Sequence, residues 1–505
     1  MSQPNEDEGS YVKLMLHIPG NGTTRAAVPT PGEDGDGRED AVRNESTIRN
    51  VTVFIIRAVE GMDAAPETTF LYTGYFTSTS SEWTTQLYGA DVKFKTGAYI
   101  PQEGDKVLVV ANAGPLTSSI VNLGQLRNYT TYQSWYQAPS LVDNDMFVMS
   151  SAYNDANDGK VVLTSHEGSF GDPFVSDLNI QRTAARIDFM YRSDNYTGTK
   201  PSDELTYPVK DSHASVQVAT VHLQNIIPVN LMQEPSYLIK RVTTTSAITS
   251  AVQYGYRETG SSGVAPSTYV MEPHTLTKEH TVPDATLTRW YGNTRAKAVF
   301  DNPSSYLTNS GINSYVESYT EVSPSELGIY DRYFTLAYTN ENTQSKEQHK
   351  KDFMTGLLLK TTYVPITVYS NASLTVATSY TKGTTFWRYT PTKTLMVEED
   401  SKYFTNAAAA TAYKAAHPLD LAEIVEYPNG VCYYNIWLRH ANVDSDPHVT
   451  FPMEYGIVRN NIYRVGVEKF TGPGSPTPTY ESPDHVRLRI FVRPWNLRVQ
   501  PEIRL

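Results

Sequence analysis

Apolar residues recur at every second position at both ends of this chain, the period of a strand with one buried face. Near the start, Val12, Leu14, Leu16 and Ile18 point one way, and Tyr11, Lys13, Met15 and His17 the other. Burying four aliphatic side chains is worth on the order of 1.5–3 kcal/mol each, so this segment is expected to fill a slot in a sheet. Near the end, Val486, Leu488, Ile490 and Val492 form one stripe. The parity switches at Pro494, after which Trp495, Leu497, Val499, Pro501, Ile503 and Leu505 form a second stripe. Proline cannot donate to a ladder, so Pro494 is a natural end for the first strand and leaves 495–505 as a strand that needs its own acceptor.

The interior repeats the theme. Thr, Val and Tyr are frequent, with 35 Tyr against 16 Phe, and such residues suit a pleated, half-buried surface. Short runs between turn residues read as strands: "TIRNVTVFIIRAVEG" (47–61), "FLYTGYF" (70–76), "DVKFKTGAYI" (91–100) and "KVLVVANAG" (106–114). "DMFVMSSAYNDANDGKVVLTS" (145–165) adds a hairpin signal at Asp158-Gly159. "LNIQRTAARIDF" (178–189) and "QVATVHLQNIIPVNLM" (217–232) complete a first block. A second opens at "QEPSYLIKRV" (233–242) and holds "KAVF" (297–300), "RYFTLAYT" (332–339), "DFMTGLLLKTTYVPITVYS" (352–370), "TFWRYTP" (385–391) and "VCYYNIWLRH" (431–440). "NAAAATAYKAA" (406–416) reads as a helix, Ala-rich and stopped by His417-Pro418. The polar run "TNENTQSKEQHKKD" (339–352) reads as a solvated loop or hairpin tip. At 505 residues the chain is too long for one core. The expected architecture is all-β: a sandwich over 26–232, a second over 233–493, minor helical insertions, a leading segment 1–25 and a terminal strand 494–505.

Several function classes lose support. Net charge is −12, from 42 basic and 54 acidic residues, and phosphate contacts need a basic face, so nucleic acid is not the expected partner. The lone Cys432 sits in "VCYYNIWL" and reads as a small buried hydrophobe. No run approaches the ~18 apolar residues of a membrane span. His440, Asp444, Asp446 and His448 lie close together, but a polar loop between strands outweighs a metal site there. "NDANDGK" (154–160) lacks the twelve-residue calcium pattern and reads as a turn. No zincin, Walker, nucleophile-elbow or dinucleotide motif is present. The expectation is a protein that is not an enzyme and uses no metal or cofactor.

The segment after Ile18, "PGNGTTRAAVPTPGEDGDGRED", is rich in Gly, Pro and acid and is kept out of regular structure. Exposed loops of this composition are where proteases cut. Arg25, between Thr24 and Ala26, offers an arginine-specific protease an unhindered target, with Arg38 and Arg43 as competitors and Arg49 nearer the next strand. Two readings of the ends stand side by side. In one, the loop is an ordinary long loop and the last strand packs in its own chain. In the other, cutting the loop lets the first strand leave, and the terminal strand of another copy takes its slot by strand addition. Such a contact is head-to-tail and does not close, so it builds filaments.

The C-terminal residues carry a resemblance. Met453-Glu454-Tyr455, Val458-Arg459-Asn460-Asn461-x-Tyr463, the Gly-Pro-Gly at 472–474 and Pro494-Trp495 before the last strand resemble the fimbrillins of Bacteroidales-type bacteria, most nearly the shaft subunits of short fimbriae (type V pili). "LNIQRTAARIDF" is similar to the late strand of that family's N-terminal domain. The resemblance implies two tandem transthyretin-like β-sandwiches, export as a lipoprotein precursor to the outer membrane, arginine-specific removal of the first strand, and polymerisation by strand exchange on the cell surface. Carried onto this chain, it implies cleavage at Arg25–Ala26, a removable first strand bearing Val12, Leu14, Leu16 and Ile18, and a donor strand bearing Trp495, Leu497, Val499, Ile503 and Leu505. "MSQPNEDEGS" at the start is polar and acidic, unlike a secretory signal, and reads as a tether. The implied partners are other copies of the chain, an arginine-specific protease, tip and anchor subunits, and host or bacterial surface receptors. The alternatives are an anchor or accessory fimbrial subunit, and a carbohydrate-binding surface lipoprotein or secreted glycosidase.

Overall fold

The computed structural model describes residues 9–18, 45, 47–57, 66–86, 89–131, 146–151, 161–164, 167–192, 195, 205–210, 216–243, 269–275, 277–278, 283–303, 332–344, 352–392, 401–418, 421–440, 454–480 and 485–494. The alternating start of the sequence becomes strand β1 (Tyr11–His17). It is followed by β2 (Asn50–Ile56), β3 (Tyr72–Thr77), β4 (Trp83–Gln86), β5 (Gly89–Lys95), β6 (Lys106–Ala111), β7 (Met149–Ser151), β8 (Val161–Val162) and β9 (Phe174–Arg182). These join into one sheet in the order β3-β2-β6-β7-β9-β1-β5-β4, with β8 paired to β6. The sheet curls over itself, so Leu14, Val92 and Leu178 share a single core with Val53 and Val109.

The near-continuous apolar runs at β2 and β6 have a structural cause. Their second faces are buried too: Phe54, Ile56, Leu108 and Val110 pack in a cluster with Leu123 and Leu126 of the short helix Leu123–Asn128, and with Leu238 and Ile239. A strand covered on both sides has no polar face to alternate with.

The second body holds β10 (Ala184–Tyr191), β11 (Leu205–Lys210), β12 (Gln217–Val229), β13 (Arg241–Thr243), β14 (Tyr269–Met271), β15 (Arg332–Asn340), β16 (Gly356–Pro365), β17 (Phe386–Thr392), β18 (Lys402–Phe404), β19 (Leu421–Tyr427), β20 (Val431–Trp437), β21 (Asn461–Phe470) and β22 (Val486–Pro494). Sheet β15-β10-β21-β22 and sheet β11-β12-β16-β20 close on a common core that includes Phe189, Leu223, Leu359, Tyr434 and Val465. A third sheet, β18-β17-β19, carries the helix Ala407–Ala416. Asn406 caps that helix by accepting from Ala409 N at 2.8 Å, and the Ala-rich run supplies its propensity. The fold is thus mostly β with few helices.

Three sequence expectations change. "LNIQRTAARIDF" is not one strand: β9 ends at Arg182 in the sheet that holds β1, and β10 starts at Ala184 in the sheet it forms with β15 and β21. The chain therefore passes from one sheet to another at Thr183, and β12 pairs with both β11 and β16. "KAVF" lies in a helix, Ala296–Asp301, placed against the β12 and β16 residues Val229 and Leu358. The polar run that begins at Thr339 is not solvated at its start: Thr339, Asn340, Glu341, Asn342 and Thr343 are 0% exposed and Gln344 3%. Residues 345–351, Asp158-Gly159 and the 154–160 turn lie outside the described residues.

Glu341 shows why that run is interior. It accepts from Arg459 Nε and Nη2 at 2.8 Å each, a bidentate pair 118 residues apart in sequence, and Arg459 Nη1 reaches Leu238 O at 2.9 Å. Nearby, Asp188 accepts from Arg186 at 2.9 and 2.8 Å and from Arg464 Nε at 3.1 Å. Arg186 also meets Glu45 at 3.2 Å, and Tyr338 donates to the same carboxylate. Arg182 Nε donates to the Glu45 carbonyl at 2.7 Å. All these charged groups are buried, at the level where the first core, through Ala184, Tyr338 and Ile462, touches the second body. Burial lowers the Arg182 pKa to about 10. At Arg186 burial acts the same way, but Asp188 and Glu45 outweigh it and hold its guanidinium firmly charged. Charges this deep are tolerated because each is paired and hydrogen-bonded.

Candidate functional site

β1 does not lie at an edge. It runs antiparallel to β5 and parallel to β9, paired along its length on both sides. Val12 stands opposite Phe94, Leu14 opposite Val92 and Leu16 opposite Ala90. Across the other ladder, Leu16 stands beside Leu178 and Leu14 beside Ser176. Val12, Leu14 and Ile18 are 0% exposed and Leu16 1%. Period-two alternation puts these four on the inner face, and the two ladders satisfy the backbone. Phe94 stacks between Tyr72 and Phe76, each 4.9 Å away, and lines the slot at Val12.

The outer face holds the strand by polar contacts. Lys13 Nζ is 2.9 Å from Asp91 and His17 Nε2 2.9 Å from Asp177. Tyr11 meets Phe170 edge-on at 5.4 Å, and Lys93 sits 3.3 Å over the Phe170 ring. At the entry, Tyr11 N donates to Gly168 O at 2.9 Å, and Thr96 N donates to Ser10 O at 2.9 Å. At the far end the backbones come so close that a Cβ on Gly89 would stand 1.9 Å from Leu16 O. Only glycine permits that approach.

Chemically, this is a berth and not a reaction centre. Vacating it would uncover the inner faces of β5 and β9 and leave two unpaired edges, which proteins ordinarily avoid. The four inward side chains alone account for roughly 6–12 kcal/mol of burial. An empty slot would therefore be costly in water.

Arg25, Ala26, Trp495, Leu497, Val499, Pro501, Ile503 and Leu505 lie outside the described residues, as do Arg38, Arg43, Asp444, Asp446 and His448. The strand before the donor segment, β22, pairs antiparallel with β21, Pro494 standing opposite Asn461. Val486 and Ile490 pack on the second core. His440 Nδ1 lies 2.8 Å from the Tyr463 hydroxyl, and burial pulls its pKa down to about 4, with Lys240 adding to the effect. Cys432 is buried beside Thr361 Oγ1 at 3.1 Å, and burial pushes its thiol up. Among the described residues no three His, Cys, Asp or Glu are grouped to hold a metal, and no helix is long and apolar enough to cross a membrane.

The motif Val458-Arg459-Asn460-Asn461-x-Tyr463 proves to build the charged junction. Asn460, in the left-handed region at φ 55°, has its N–H on Ala184 O at 2.7 Å. Tyr463 accepts from Val458 N at 2.8 Å. Sequence reasoning missed this network because Glu45, Asp188, Glu341 and the arginines are scattered along the chain. The one available signal was Arg186 and Asp188, two charges inside an otherwise apolar strand.

Residues 425–501 match the family model for the major fimbrial subunit protein (type IV), Fimbrillin, C-terminal. No curated protein matches the sequence. Among solved structures, the chain is similar to a candidate cell adhesion protein from Parabacteroides distasonis, at 13% identity and TM-score 0.40, covering 97% of this chain and 100% of that one. It is similar to another from Bacteroides eggerthii, at 12% identity and TM-score 0.39, covering 99% and 100%. The fimbrial anchor protein Mfa2 from Porphyromonas gingivalis is more distant, at 8% identity and TM-score 0.18, covering 43% and 68%. Structural similarities this low add nothing to what the strands themselves show. Residues 425–501 are thus similar to the C-terminal region of the fimbrillins, the family those residues resemble.

Proposed function

We propose that the chain is a structural subunit of a cell-surface fimbria and polymerises head-to-tail when its first strand is cut away and a neighbour's terminal strand enters the vacated slot. The fimbrial role is supported by the fimbrillin match over residues 425–501. The exchange is supported by one observation above others: β1 fills an interior slot between β5 and β9, yet is joined in sequence to β2 only through a segment rich in Gly, Pro and acid. In this reading Arg25–Ala26 is the cleavage point and 494–505 the donor strand. The first body runs to Arg182 and the second from Ala184. Trp495, Leu497, Val499, Ile503 and Leu505 offer the same period-two face as Val12, Leu14, Leu16 and Ile18. An arginine-specific protease, tip and anchor subunits and surface receptors complete the system, and the precursor reaches the outer membrane as a lipoprotein.

The test is arginine-specific proteolysis of the full chain, followed by N-terminal sequencing and gel analysis in mild SDS. The expected result is a new terminus at Ala26 and a series of multimers. Deleting 495–505 is expected to leave a trimmed monomer, and adding a synthetic 494–505 peptide to that monomer should raise its melting temperature. Arg25→Ala is expected to stop assembly unless Arg38 or Arg43 is cut instead. A trimmed wild-type protein that stays monodisperse overturns the exchange. A subunit that is cut and accepts the peptide but never propagates is an accessory subunit.

A further inference from the structure

Outside the slot and the charged junction, one buried cluster is arranged for a reaction. Lys278 is 0% exposed and its Nζ lies 2.5 Å from Glu272 Oε1, 2.7 Å from Asn342 Oδ1 and 2.9 Å from Thr343 O. The Asn342 side chain has a fixed orientation. Its Nδ2 donates to Phe353 O and to Thr355 Oγ1, both at 2.8 Å, so its carbonyl faces the lysine. The Tyr291 hydroxyl is 3.4 Å from the same Oδ1. Glu272 is held by His274 N at 2.6 Å. Met232, Trp290 and Phe353 pack with Tyr291 in an apolar cluster beside them.

We propose that Lys278 and Asn342 join covalently, through an amide between Lys278 Nζ and Asn342 Cγ, with Glu272 carrying the protons. The proposal is independent of strand exchange. The amine forms when the Lys278 ammonium passes one proton to Glu272, a transfer that burial of the ammonium favours. Burial indeed pushes the Lys278 pKa down, against the pull of Glu272. The neutral amine attacks Cγ, whose oxygen it already touches. Negative charge then grows on Oδ1, where the Tyr291 hydroxyl can turn its proton. The Nζ–Cγ bond forms and the Cγ–Nδ2 bond breaks. Nδ2, with its own two hydrogens and one from the lysine, becomes ammonia; accepting the proton held by Glu272, it departs as ammonium and the carboxylate is restored. No oxidant, metal or other co-reactant is needed.

The bond would tie the end of the β14 segment to the residues just after β15. Asn342 is itself paired to Ile457, N–H to carbonyl in both directions at 3.0 and 2.9 Å. The helices Asp284–Tyr291 and Ala296–Asp301 would then sit inside a closed covalent loop, which lowers the entropy of the unfolded chain.

Intact mass spectrometry of the full chain tests this. The expected mass is below the sequence mass by one ammonia, and a tryptic digest is expected to give one branched peptide joining Lys278 to Asn342. Glu272→Gln keeps the side chain's shape but removes the proton acceptor. That variant is expected to show the full mass and two linear peptides. Should it fail to fold, the wild-type mass and peptide map decide alone. Wild-type protein at full sequence mass, with linear peptides across both residues, overturns the proposal. So does ammonia loss mapped to any other residue.

Discussion

The inner face of the slot around β1 and the junction around Asp188 are both buried, yet they hold their residues by opposite means. The slot uses repeated apolar side chains and backbone ladders, neither of which depends on the identity of the occupant beyond its period and bulk. The junction uses Arg186, Arg464, Arg459, Glu45 and Glu341 in directional pairs that no generic segment could replace. An apolar slot selects its occupant by period and bulk; a charge network fixes one arrangement. In the proposed exchange, the contact that is replaced and the one that is kept lie in adjoining regions.

The largest expected effect breaks the junction. Asp188→Ala leaves Arg186 and Arg464 short of a buried carboxylate and should cost about 3–5 kcal/mol in urea unfolding; a loss near zero would show that the network is incidental. Next, Leu14→Ala in the uncut chain should cost about 2–5 kcal/mol by leaving a cavity in the slot. If cleavage and exchange proceed as proposed, the substituted strand is gone, and the variant's polymer should melt with the wild type. A deficit that persists in the polymer would mean β1 stays in place.

A smaller effect concerns pH near the junction. Burial holds His440 at about 4 in the folded state against 6.5 for the free group. Between those values the unfolded chain binds the extra proton, so stability should fall as pH drops from about 6.5 to about 4, by at most about 3 kcal/mol. His440→Gln should flatten that slope in thermal melts recorded across the window. The smallest effect lies on the outer face of β1. Lys13→Ala removes a partly exposed pair with Asp91 and should cost under about 1 kcal/mol. A larger loss would mean that charge, and not apolar fit, holds the strand.

Much of this was legible because it is local. The inner face of β1, the strands at β5, β6, β16 and β20, and the helix Ala407–Ala416 follow from period, propensity and capping within a few residues. The strand-like look of "KAVF" was overridden by packing against Val229 and Leu358, contacts that lie far away in sequence. The run from Thr339 to Gln344 looked solvated because its residues are polar, and composition alone cannot say that Arg459 arrives from another strand to satisfy Glu341. The passage between sheets at Thr183 was hidden for a related reason: β9 and β10 follow each other with one residue between them, and nothing local says that they pair in different sheets.

By itself the sequence determined that residues 11–18 form a strand with Val12, Leu14, Leu16 and Ile18 on one face, since alternation depends only on backbone geometry. Only the tertiary structure decided that this strand lies between β5 and β9, inside the sheet. It alone brought Lys278, Glu272 and Asn342 within bonding reach. Strand pairing and buried charge both rest on partners distant in the chain, and such partners are chosen by the whole fold.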